Sequence, residues 1–118
     1  MILADTSVWI DFWRHGGERF ARALSGGHVL LHPFVRGEIA LGIVARRGEA
    51  LSYLDALSRS RLAEHTEVLT LIERARLWGR GIGWVDAHLL ASALLDRAAL
   101  WTRDQRLAEV AAELGIAA

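Results

Sequence analysis

The chain contains no cysteine, no lysine and no asparagine, and a single proline. Without cysteine there is no disulfide framework, no thiol nucleophile and no thiolate zinc site. Without lysine there is no Schiff base and no P-loop lysine, and the GxxxxGK[ST] string is missing too. All fourteen basic side chains are therefore arginine, balanced by fourteen Asp and Glu to a net charge of zero. A GC-rich coding sequence is enough to explain that preference for arginine. Neutrality gives no direct sign of a nucleic-acid partner, since such domains are often strongly basic. Long apolar runs are also absent. Arg36 and Glu38 break the segment after His32, and nothing approaches the roughly 18–20 residues that span a bilayer. Met1–Ala4 meets Asp5 at once, with no basic region of the signal-peptide kind. A soluble cytoplasmic protein without membrane association is expected.

What is present is core material. Hydrophobic residues make up 53% of 118 residues, enough for one domain over residues 1–118 and no second. Ile2–Ala4 reads as a buried strand ending in Asp5-Thr6-Ser7. Val8–Trp13 reads as a helix closed near Gly16-Gly17, and Phe20, Ala21 and Leu24 as the face of another. His28–His32 reads as a second strand, with His28 and His32 as strand-end residues. Pro33 suits a first helical turn, and the helix is predicted over Phe34–Val44. Leu51, Leu54 and Leu57 mark a further helix. Val68, Leu71, Ile72, Ala75 and Trp78 keep the 3.6-residue period of the next. Gly79, Gly81 and Gly83 break it. Asp86 then opens a helix with Leu89, Leu90, Ala93 and Leu94 on one face. Ala98–Trp101 reads as a strand, and Asp104 opens a last helix with Leu107, Val110, Ala111 and Leu114 inward. Ile116–Ala118 suits an edge strand. Short apolar strands alternating with amphipathic helices predict a parallel sheet covered on both faces. Ligand sites in such sheets lie beyond the carboxyl ends of the strands.

Four acids stand out by position: Asp5 after the first strand, Asp104 after the Ala98–Trp101 strand, Asp86 at a helix start and Glu38 within an apolar helix. Each Asp alone is equally suited to be a helix cap, worth about 0.5–2 kcal/mol. Glu38 alone is suited to an outward-facing flank. Taken jointly, two strand-end acids can converge at one sheet edge, and the other two can complete a cluster. Clustered carboxylates repel and need compensating cations. Oxygen-only ligands suit Mg²⁺ or Mn²⁺, which serve phosphodiester hydrolysis. Ser7 and Thr102 stand two residues from Asp5 and Asp104, where a hydroxyl can support an acid or simply end a turn or strand.

At these residues the chain resembles the PIN-domain ribonucleases, most closely the VapC toxins of type II toxin–antitoxin systems. The matching segments are Ala4-Asp5-Thr6-Ser7-Val8-Trp9-Ile10-Asp11, Arg36-Gly37-Glu38-Ile39-Ala40-Leu41-Gly42, Gly83-Trp84-Val85-Asp86-Ala87-His88-Leu89-Leu90-Ala91 and Leu100-Trp101-Thr102-Arg103-Asp104. They occur in the family's order and span essentially the whole chain. The resemblance implies a three-layer α/β/α PIN-like fold on a parallel sheet of four to five strands. It implies an Mg²⁺-dependent endoribonuclease in which Asp5, Glu38, Asp86 and Asp104 are the catalytic and metal-binding acids. It also implies an RNA substrate, a homodimer, and inhibition by a cognate VapB-like antitoxin in a heterotetramer or larger assembly.

Other residues read more plainly. Arg14, Arg36, Arg80 and Arg103 neighbour the motif segments and read as solvated charges that RNA phosphates can also meet. The five tryptophans suit core or dimer packing, with base stacking as the alternative. His88 reads as helix surface or a substrate contact, and Asp11 and Asp96 as solvated helix acids. Three alternatives stand beside the toxin reading: a housekeeping RNA-processing nuclease, a non-catalytic PIN-like binding module, and an aspartyl-phosphate enzyme. The last wants a second Asp where Ser7 stands, and usually a lysine. The charge balance also changes under the quartet reading. With four acids gathered on a cation, ten remain against fourteen Arg, so neutrality is compatible with an RNA-cleaving site.

Overall fold

The computed structural model describes residues 1–118 and runs β1 (Ile2–Ala4), α1 (Thr6–His15), α2 (Glu18–Ser25), β2 (Val29–Leu31), α3 (Pro33–Leu41), α4 (Arg47–Asp55), β3 (Ser58–Arg59), α5 (His65–Ala75), α6 (Trp84–Asp96), β4 (Ala99–Trp101) and α7 (Gln105–Glu113). The sheet is parallel throughout, in the order β3-β2-β1-β4. Leu3 stands beside Leu30 on one side and Leu100 on the other, and Ala4 is level with Trp101. A bridge from Leu100 to Ala117 adds the beginning of a fifth strand. Helices flank the sheet, giving the three-layer α/β/α arrangement that the apolar strands require. β2 is buried at every residue. Leu3, Trp9, Leu31, Leu90 and Leu107 are wholly buried in one core.

The strand order places the site. From β1 the chain moves outward to β2 and β3, then returns to β4 on the opposite side of β1. In open sheets of this kind ligands bind where the order reverses, here beyond the carboxyl ends of β1 and β4. Asp5 and Asp104 follow those two strands.

Several expectations are corrected. α3 ends at Leu41 rather than Val44, because Gly42 turns there with its N–H on the Ile39 carbonyl. Leu57 lies past the end of α4. Ser58–Arg59 pairs with β2 although its polar residues carry no strand pattern. Trp78 is not on the α5 stripe: the chain turns left-handed at Arg76, Leu77 takes the buried position and Trp78 is 60% exposed. His88 is buried rather than superficial, because α6 is enclosed over the whole run Ala87–Ala93. Its ring lies between those of Phe34 and Trp84. Leu94 leaves that enclosed run and is partly exposed. Asp96 is mostly buried, accepting the Arg61 N–H at 3.0 Å.

Candidate active site

Asp5 is the best-held acid of the four. It is 6% exposed and caps α1, with Oδ1 accepting the Val8 N–H at 3.2 Å. Ser7 Oγ donates to the same oxygen at 2.5 Å, and Thr102 Oγ donates to Oδ2. Each hydroxyl also accepts a backbone N–H from the β4–α7 turn: Arg103 donates to Ser7 at 2.9 Å and Asp104 to Thr102 at 3.0 Å. A hydroxyl has one proton. With acceptor capacity occupied by an amide, each hydroxyl turns that proton to Asp5. Ser7 and Thr102 thus each hydrogen-bond to one oxygen of Asp5.

Asp104 caps α7, with Oδ1 taking the N–H groups of Arg106 and Leu107. Asp86 stands at the third position of α6, not at its cap. Its Oδ2 reaches back to the Gly83 N–H at 3.0 Å. Glu38 leaves α3 toward α1, where Thr6 Oγ donates to Oε1 at 2.7 Å. Thr6 was missed in the sequence, although it sits within the Asp5-Thr6-Ser7 signal. The second oxygens of Asp86, Asp104 and Glu38 take no protein hydrogen bond.

The charges of Asp5, Asp104 and Glu38 all act on Asp86. Asp86 is raised above the usual carboxylate range, chiefly by partial burial, and further by the negative charges of Asp5, Asp104 and Glu38; the Gly83 N–H opposes the rise. No three acidic or histidine side chains stand at ligating distance from a common point. The donors are all oxygens, three acids have a free oxygen, and their charges oppose one another. Such a set fits a hard divalent cation.

The arginines beside the motifs differ in their freedom. Arg36 grips Asp55 with two hydrogen bonds of 3.1 Å, and Arg80 grips Glu113 at 2.6 and 2.8 Å. Those guanidinium groups hold Asp55 and Glu113 below the usual carboxylate range. Arg103 meets Asp11 only loosely, at 3.7 Å. Arg106 lies across Gly81, which has φ +80° and whose added Cβ would come within 2.5 Å of the guanidinium. The positive φ is what favours glycine there, since the exposed Arg106 side chain can move aside.

The parallel α/β/α fold and the family comparison together define the class of protein. The chain belongs to the PIN-domain family, whose model matches residues 2–113. The more particular likeness is to Ribonuclease VapC32 of Mycobacterium tuberculosis, strain CDC 1551 / Oshkosh. The two are 48% identical over 99% of this chain and 95% of that protein. Ribonuclease VapC32 of strain ATCC 25618 / H37Rv matches to the same extent.

Proposed function

We propose that Asp5, Glu38, Asp86 and Asp104 are the catalytic, metal-binding acids of this ribonuclease of the VapC toxin class, and that its cofactor is Mg²⁺, with Mn²⁺ able to substitute. The observation that carries the reading is convergence. Acids from β1, α3, α6 and the β4–α7 turn oppose one another electrostatically at the sheet's switch point. When bound there, a divalent cation supplies Lewis acidity to the phosphodiester and a more acidic water. The chain's own residues do the positioning. Ser7 and Thr102 fix both oxygens of Asp5, Thr6 orients Glu38, and the Gly83 N–H orients Asp86. The 118 residues act as one PIN unit on RNA, leaving 5′-phosphate and 3′-hydroxyl ends.

The VapC likeness extends the reading to partners: a VapB-like antitoxin, and a homodimer that forms a heterotetramer or larger assembly with it. Large apolar side chains left in solvent, Leu41 and Ile43 above all, support a protein interface. No helix is long and apolar enough to cross a membrane, in keeping with action in the cytoplasm. The test is sequencing of RNA 5′ ends after induction of the wild type, Asp5→Ala and Asp86→Ala. Discrete new ends and growth arrest are expected from the wild type alone. Wild-type cleavage by either variant would overturn the site assignment.

A further inference from the structure

Beside the quartet lies a cleft of about 420 Å³ between α1, the α1–α2 turn and the end of β4. Thr102 belongs to both places: it lines the cleft and its hydroxyl holds Asp5. Phe12 and Trp101 supply apolar walls, and Arg19 and Arg103 the cations. The Arg19 guanidinium lies over the Trp101 ring, 4.3 Å from its centroid, and forms no ion pair. The Arg103 side chain is 66% exposed, with only the loose contact to Asp11. Unlike Arg36 and Arg80, these two arginines are available to a ligand.

We propose that this cleft receives one unpaired nucleotide of the RNA strand, next to the bond that is cut. The inference rests on the reading of the quartet as an RNA-cleaving centre. A planar guanidinium already stacked on an aromatic ring is an ordered platform, and RNA-binding proteins stack unpaired bases on arginine and aromatic planes. Arg103 is placed for the adjoining phosphate, since its own backbone N–H is part of the network around Asp5. Asp11 and Glu18 also line the cleft, which argues against a simple anion trap. The cleft suits a ligand that brings a flat base together with its phosphate. Its size admits a single nucleotide and not a duplex, so unpaired or looped RNA is selected.

The test is fluorescence anisotropy of a labelled single-stranded oligoribonucleotide, with metal removed by EDTA so that the RNA stays intact. Arg19→Ala is expected to weaken binding about tenfold, the scale of one lost stacking contact. Arg19→Lys should recover only part, because it restores charge without a plane. Arg103→Ala should weaken binding and lower its salt dependence. A fully paired RNA should show no response to Arg19→Ala. Wild-type affinity in Arg19→Ala, or full recovery in Arg19→Lys, overturns the proposal. Asp86→Asn keeps the two readings apart: it should bind the single strand and fail to cut it with Mg²⁺ or Mn²⁺ present. Cleavage by that variant would overturn the quartet reading alone, and the binding results would still judge the cleft.

Discussion

The two halves of the acidic site are built differently. On the strand side, Asp5 is buried under three hydrogen bonds and Asp104 accepts two backbone N–H groups. On the helix side, Glu38 and Asp86 each have one. Asp5 therefore has both oxygens held by donors, whereas Asp86 has one held, with burial and three like charges against its ionised form. The strand side is an ordered base. On the helix side, Asp86 bears the repulsion that a cation relieves.

The largest test of that contrast separates activity from stability. Asp5→Asn and Asp86→Asn should each lower RNA cleavage by about a thousandfold or more, the several kcal/mol attributed to metal charge stabilisation. Their metal-free thermal midpoints should move in opposite directions. Asp5→Asn turns an amide NH₂ toward a hydroxyl or N–H donor and should unfold earlier. Asp86→Asn keeps an oxygen for Gly83, removes the repelled charge and should unfold later. Midpoints moving together would erase the distinction between the halves.

A smaller effect is expected at the hydroxyls. Thr102→Val should reduce cleavage by about 10–100-fold, the usual range for losing a partner behind a metal ligand. It should also destabilise the chain by about 1–3 kcal/mol, since Asp5 Oδ2 loses its donor in a nearly buried setting. Denaturant titration beside the cleavage assay measures both. On the helix side, Thr6→Val should cost only a few-fold in cleavage and leave the denaturation midpoint nearly unchanged, because Glu38 is exposed.

The pH response offers a further probe of the helix side. His32 caps α3, the helix of Glu38, through Nδ1, which accepts the Phe34 N–H at 3.0 Å. Burial, and secondarily the charge of His88, lower its pKa to about 4. A folded value below the unfolded one means stability is present above the unfolded value and is lost as pH falls through the folded one. The thermal midpoint should therefore fall between pH 6.5 and about 4, and His32→Asn, which keeps a capping acceptor without titrating there, should flatten that part of the curve. An unchanged slope in His32→Asn would remove His32 as its source.

Much of this was legible in the chain because it depends on local pattern. Short apolar runs marked β1, β2 and β4, and Asp5 and Asp104 followed their strands closely enough to place them at one edge. Position also suggested Ser7 and Thr102 as supports. What escaped depended on tertiary surroundings. Ser58–Arg59 is a strand because β2 offers it a free edge, not because of its side chains. His88 and Asp96 looked superficial because one residue's polarity says nothing of how completely its helix is enclosed. Trp78 fitted a helical period that ends too soon to include it. Missing asparagine has its own trace here: Arg46, Arg76 and Arg97 take the left-handed conformation at helix ends, a place that favours glycine or asparagine. The Arg19–Trp101 stack joins residues far apart in the chain, and no spacing announces it.

The bond from Thr102 to Asp5 spans 97 positions, and that from Arg103 to Ser7 spans 96. Ser7 and Val8 reach Asp5 from its own turn, whereas the Thr102 hydroxyl and the amides behind it belong to a turn made much later in the chain. A growing chain carries this acid without that hydroxyl and those amides until the β4–α7 turn has left the ribosome. For a protein that cuts RNA, the order of synthesis is thereby a form of timing: the blade cannot be set in its handle before the β4–α7 turn has been made.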